Sequence, residues 1–206
     1  MYAVLGTAWA AAVAFGLWRL WTYESTADIP ARPPLTWPAE TRVSRPAGLP
    51  TLVLLAHPRC PCSRATIGEL AKLMADCHGK LGATVLVLRP DGVPDGWERT
   101  DLWDSAAAIP GVSVTSDAGG AESRRFGAAT SGQALLYGAD GRLLFAGGIT
   151  ESRGHQGDNA GRSAVAALVL GSGGPAQTAL APVYGCPLFS ESSPCPTNGT
   201  PACYSE

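Results

Sequence analysis

The apolar positions of this chain form one long block, then short blocks alternating with helical stripes, then scattered islands in a polar tail. Residues 1–21, MYAVLGTAWAAAVAFGLWRLW, are apolar apart from Thr7 and Arg19, close to the ~20 residues a helix needs to cross a bilayer. Trp18 and Trp21 suit the boundary between lipid and water. The expected role is an uncleaved anchor. The competing role is a cleaved signal segment, although no small-x-small cleavage site directly follows the apolar run. Residues 22–48 carry Pro30, Pro33, Pro34, Pro38 and Pro46 with no sustained apolar period, which predicts an extended tether holding a domain off the membrane.

Residues 49–170 hold the patterned part. Thr51-Leu-Val-Leu-Leu-Ala56 is a continuous apolar block broken by His57-Pro58, as in a fully buried central strand. From Ser63 onward, Ile67, Leu70, Ala71, Met74 and Cys77 recur at spacings of three and four, one face of a helix that stops near Gly79. Residues 83–88 predict a second strand, 98–108 a short helix, 111–115 a further short strand and 121–126 a helical turn. Residues 133–137 and 142–146, joined through Gly138-Ala-Asp-Gly141, predict an antiparallel hairpin, and 161–170 a last helix. Alternating strands and helices imply parallel pairing, and the hairpin adds antiparallel strands, so the expected fold class is α/β with a central mixed sheet. Residues 171–206 form a cysteine-containing tail in which 183–189 is an apolar island expected to dock back on the domain.

Composition narrows the setting. Of 206 residues, 46% are hydrophobic, enough for one core of ordinary domain size. The 15 Lys and Arg against 17 Asp and Glu give a formal charge of −2 with no long block of either sign, which argues against a nucleic-acid surface. Six cysteines, three of them in the tail, fit an oxidising compartment. Arg19, at the far end of the apolar block, points the other way on the positive-inside rule. Cysteine usage carries more weight, so the domain is expected to face the periplasm or the cell exterior.

The candidate chemistry sits at Cys60-Pro61-Cys62, between the buried strand and the first turn of the long helix. Free backbone N–H groups and the helix dipole stabilise a thiolate there, and Arg59 and Arg64 flank the pair. Cys60 is the candidate nucleophile and Cys62 the candidate resolver, although a one-residue spacer closes a tight ring. The plainer alternative is that each thiol bridges elsewhere or that Cys62 simply packs. Cys77 continues the buried stripe and reads as a core thiol. Cys186 is placed to act as a resolving thiol or a third metal ligand, whereas Cys195 and Cys203 suit a structural bridge closing the tail.

With strand, cysteine motif and long helix in that order, residues 51–76 resemble the thioredoxin-like superfamily, and the likeness runs from about residue 48 to residue 170. Residues 126–148 are similar to the closing part of membrane-anchored members. The resemblance implies a three-layer sandwich, thiol:disulfide exchange without a cofactor, and protein thiols or disulfides as partners. The chain departs from the family in its spacer and at Thr130-Ser131-Gly132, where the family has a cis-proline facing the cysteines; this implies a substrate-contacting place for Ser131 and Gly132. A closer resemblance is to bacterial RedB-type thioredoxin-like proteins, which share a His-Pro-x-Cys-Pro-Cys motif, here His57 to Cys62. It implies the bacterial inner membrane as the setting. Family geometry would also hang the loop 147–159 over the thiols with Arg153, His155, Asp158 and Asn159; the plainer role for Asp158 or Asn159 is to cap the last helix. Two other activities fit these residues: a Cu(I)-binding module with Cys60, Cys62, His155 and Cys186 as ligands, and a thiol peroxidase.

Overall fold

Strand β1 (Thr51–Ala56) is buried at every position, and the rest of the domain is arranged about it. Side chains alternate across a strand, so Leu52, Leu54 and Ala56 enter one core while Val53 and Leu55 enter the other. The computed structural model describes residues 2–28, 32–171 and 178–189. β2 (Gly82–Arg89) pairs with β1 in parallel, Thr51 opposite Gly82, and β3 (Val112–Ala118) continues the parallel set beyond it. On the other side β4 (Gln133–Tyr137) and β5 (Leu143–Gly148) run antiparallel, as the Asp-Gly turn predicts, and β6 (Ala179–Leu180) adds a short parallel edge. The order is β3-β2-β1-β4-β5-β6, a mixed sheet of α/β class.

Helices α2 (Pro61–Asp76), α3 (Asp101–Ala107) and α5 (Ala160–Val169) cover one face, with Leu70, Leu102 and Val165 in the shared core. Cys77 lies in that core, as its place on the stripe predicts. Among the described residues the other face has only α4 (Ala121–Arg125), too short to cover it. The segment expected to be a free tether covers it in part. Leu143 N–H donates to Leu35 and Trp37 N–H to Gly141, both at 2.8 Å, and the Trp37 ring meets Phe126 and Tyr137 edge-on at 5.2 Å. Proline density had suggested a spacer, but an apolar sheet face without a long helix must be covered, and the tether residues Trp37 and Val43 join Leu188 of the tail in doing so.

Helix α1 (Tyr2–Ser25) runs past the expected residue 21 and none of it is buried; it is long and apolar enough to cross a membrane, as a signal segment also is. The helix expected over 98–108 begins later, at Asp101. The strand expected to end at residue 115 runs on to Ala118, which carries the buried Asp117 to the start of α4, where it accepts from the N–H groups of Glu122 and Ser123. Cys195 and Cys203 lie outside the described residues.

Candidate thiol site

Cys60 is the N-cap of α2, with extended backbone angles, and Pro61 follows at the first helical position, where its missing N–H costs nothing. Its sulfur therefore lies at the positive end of the helix, beyond the C-terminal end of β1. Cys62 is in the first turn; both thiols are buried. Beneath them Ser63 Oγ and Ser131 Oγ share a hydrogen bond, and the His57 N–H is directed at both, at 3.2 and 3.4 Å. This buried pair ties the cysteine turn to the chain entering β4. Gly132, at φ +85°, donates to Leu55 at 2.7 Å, and a Cβ there would meet Thr66 Oγ1 at 3.0 Å, so only glycine lets the chain pass α2 this closely.

Cys186 arrives from the tail, on a segment we call the strap. Ala181 N–H donates to Ala146 at 3.2 Å, Gly148 N–H to Pro182 at 3.0 Å, Ser131 N–H to Cys186 at 2.8 Å and Leu188 N–H to Ala129 at 2.7 Å. The strap thus lies antiparallel on the edge at residues 129–131. Its docking depends on small residues: a Cβ on Gly185 would overlap the Ser131 carbonyl, and one on Gly148 would meet the Pro182 carbonyl at 2.6 Å. The sulfurs of Cys60, Cys62 and Cys186 lie within 4.8 Å of one another, with Cys60 and Cys186 at 2.8 Å.

These contacts divide the protons unequally. The Cys60 thiol is held far below its ordinary range, first by the hydrogen bond from Cys186, then by that from Cys62; the Ser63 N–H and the Ser131 hydroxyl add to this, against burial. Cys186 is pushed up, chiefly because its proton is held by the Cys60 thiolate and then by Cys62. Cys62 also rises: its contact with Cys186 draws it down, but its bond to Cys60 and its burial outweigh that, and the Arg153 guanidinium opposes them only in part. These shifts favour ionisation of Cys60 ahead of Cys62 and Cys186.

The flanking arginines do not take part. Arg64 is exposed and forked onto Asp101 at 2.6 and 3.1 Å, while the Arg59 guanidinium lies over the Trp97 ring at 4.5 Å. Each is engaged by a partner of its own rather than by the thiols. A cation that acts on Cys62 comes from the loop after β5: Arg153. Of the other loop residues, Asn159 accepts from Arg162 N–H at 2.7 Å and caps α5, and Asp158 pairs with Arg162. His155 is exposed, its Nδ1 bonded to the Arg153 carbonyl, and it is outside the three-sulfur group, so it does not supply a fourth ligand. His57 packs edge-on against Trp97, and burial lowers its pKa despite the nearby Cys60.

No family model matches the chain, and no curated protein matches it either. Solved structures do. A hypothetical protein from Sinorhizobium meliloti is 20% identical, covering 81% of this chain and 96% of its own, with a TM-score of 0.57. An uncharacterized conserved protein from Geobacillus kaustophilus is 17% identical, covering 82% and 95%, with a TM-score of 0.56. A secreted Mycobacterium tuberculosis disulfide oxidoreductase homologous to E. coli DsbE is 15% identical, covering 61% and 83%, with a TM-score of 0.44. The sheet order, with β1 central, β2 and β3 parallel to it, β4 antiparallel to it and β5 antiparallel to β4, is the arrangement expected of a thioredoxin-like fold. In this thioredoxin-like frame the cysteine turn, the entry to β4 and the loop after β5 all open at one end of the sheet. The strap that crosses that end contributes a third sulfur beside those of Cys60 and Cys62.

The unequal protons make stability depend on pH. With the Cys60 thiol held below its ordinary range in the folded protein, the unfolded chain binds that proton more tightly, and the reduced protein is expected to gain stability as pH rises toward about 8.5. Above that range Cys62 and Cys186 ionise in the unfolded chain while the fold keeps them protonated, and the gain reverses. Urea midpoints of the reduced wild type, minus those of Cys60→Ser, are expected to climb from about pH 5 to about pH 8. A flat difference would show that Cys60 is not a native thiolate.

Proposed function

We propose that the protein is a membrane-anchored thiol:disulfide oxidoreductase whose domain faces the periplasm or cell exterior and acts on protein thiols or disulfides. The observation that carries this reading is the Cys60 sulfur, buried at a helix N-terminus, 2.8 Å from the Cys186 sulfur and grouped with that of Cys62. The thiolate attacks a partner's disulfide. One partner sulfur bonds to Cys60, and the other leaves as a thiolate and takes up a proton. A second thiol of the cluster, Cys62 or Cys186, then loses its proton and attacks Cys60, which forms an internal disulfide and releases the second partner thiol. Two protein thiols are oxidised and one partner disulfide is reduced; the reverse direction passes through the same mixed disulfide. The apolar helix α1 and the cysteine usage support the placement, and the motif from His57 to Cys62 supports kinship with RedB-type proteins.

Full-length protein in detergent micelles is expected to speed the reduction of insulin disulfides well above the rate of the added reductant alone. Equality with that background would overturn the reading, and rapid peroxide consumption instead would favour a peroxidase. The convergence of three sulfurs supports a second reading, a thiolate site for Cu(I), since soft ligands select that ion. A tight Cu(I) complex lost in Cys186→Ser, in a protein with no thiol turnover, would replace the first reading by the second.

A further inference from the structure

Asp28 lies just past the end of α1 and has no hydrogen bond to any of the three sulfurs, yet it holds the strap that carries Cys186. Its N–H donates to the Val183 carbonyl at 2.9 Å, and its Oδ2 accepts from the Gly185 N–H at 3.0 Å. The same oxygen pairs with Arg153 Nη2 at 2.9 Å, and the two side chains are only 22% and 11% exposed. Arg153 is itself tied to the stem leaving α1: its Nε donates to the Tyr23 carbonyl at 3.0 Å, its backbone N–H to Glu24 at 3.2 Å, and its guanidinium lies 5.0 Å from the centre of the Tyr23 ring. One carboxylate thus joins three strands of chain: the stem, the loop over the thiols and the strap. The strap residue it grips, Gly185, is the neighbour of Cys186.

We propose that Cys186 is the thiol that resolves Cys60, and that Asp28 is the positioning residue that latches it there. This rests on the oxidoreductase reading. Cys186 is favoured over Cys62 on two grounds. Its sulfur is 2.8 Å from that of Cys60. A Cys60–Cys62 bridge closes across a single residue at a helix start, whereas a Cys60–Cys186 bridge joins segments that only the fold brings together and puts no small ring under strain. In the resolving step the Cys186 thiol gives its proton to solvent and its sulfur attacks Cys60. The Cys60–partner bond breaks, and the partner leaves as a thiolate that is then protonated. A partner chain that reaches Cys60 lifts the strap from the edge at residues 129–131, and the latch returns it. The contacts of Asp28 make the membrane stem part of the redox site.

The test maps disulfides in full-length protein, in detergent micelles, after exposure to oxidised glutathione and quenching by alkylation. In the wild type the Cys60–Cys186 bridge is expected to outweigh the Cys60–Cys62 bridge. Asp28→Ala is expected to lower the ratio of Cys60–Cys186 bridge to Cys60–glutathione mixed disulfide by about tenfold, the scale of losing hydrogen bonds to a charged group. Asp28→Asn keeps an oxygen for the Gly185 N–H while losing the charge that faces Arg153, and should recover part of that ratio. Gly185→Ala, which forces the strap off the Ser131 carbonyl with Asp28 intact, should lower it too. A wild type that closes only Cys60–Cys62 overturns the proposal, as does an unchanged ratio in Asp28→Ala beside a lowered one in Gly185→Ala. Mapping needs no turnover, so expected bridges in a protein without insulin turnover would sink the oxidoreductase reading and leave the latch standing.

Discussion

Cys60→Ser is expected to reduce insulin turnover to the rate of the reductant alone. A serine hydroxyl stays protonated at neutral pH and does not attack a disulfide, whereas the neighbouring thiols of Cys186 and Cys62 lower the pKa of Cys60 and favour its thiolate. The replacement is nearly isosteric, so the fold should persist and the loss be chemical. A second consequence separates this from a structural effect. Without the Cys60 thiolate to hold their protons, Cys62 and Cys186 titrate closer to an ordinary thiol and should alkylate faster at neutral pH than in the wild type. Cys186→Ser, by contrast, should leave the first attack intact and accumulate the mixed disulfide on Cys60. Turnover that survives in Cys60→Ser and vanishes in Cys62→Ser would move the nucleophile to Cys62.

Glu69→Ala is expected to cost about 3 to 5 kcal/mol, the range for removing one partner of a buried ion pair. The Glu69 carboxylate is fully buried on α2, pairs with Lys72 at 2.7 Å and Arg162 at 3.0 Å, and accepts from Gly157 N–H at 2.9 Å and Asn159 Nδ2 at 3.4 Å. Alanine leaves Arg162, whose side chain is 17% exposed, with only its outer partners Asp76 and Asp158. Urea denaturation followed by circular dichroism measures the loss, and at about 2 to 4 °C per kcal/mol the melting temperature should fall by about 10 °C. Glu69 anchors the end of the loop that carries Arg153, so the Cys60–Cys186 bridge should also form less readily. A loss below about 1 kcal/mol would show that the loop stands without this carboxylate.

Most of the fold was legible because its elements are written in local periods. The apolar block at residues 51–56, the stripe from Ile67 to Cys77 and the Asp-Gly turn each specify their element within a few residues, and all three are observed. The docking of the island at 183–189 was legible from its hydrophobicity alone. The tether was misread because proline density reports on backbone stiffness, whereas the packing of Trp37 on Phe126 and Tyr137 depends on a sheet face far along the chain.

At the site, the identity of Cys60 and its place at a helix start follow from the motif and the strand before it, since both are settled within a dozen residues. Which charges act on it does not follow. Arg59 and Arg64 flank the pair in sequence and turn to Trp97 and Asp101, while Arg153, distant in the chain, acts on Cys62. Ser63 beneath the pair and Asp28 beside the strap carried no local signal, because their partners Ser131 and Gly185 are distant in the chain. The sequence by itself determined the elements, their order and the chemistry available at the cysteine turn, because these depend on backbone preferences and hydrophobic period over short stretches. Only the tertiary structure decided that Cys186 joins Cys60 and Cys62, that His155 stays apart and that the stem is fastened to the strap. Those contacts close loops of about a hundred residues or more, and only the packed sheet offsets the entropy of closing them.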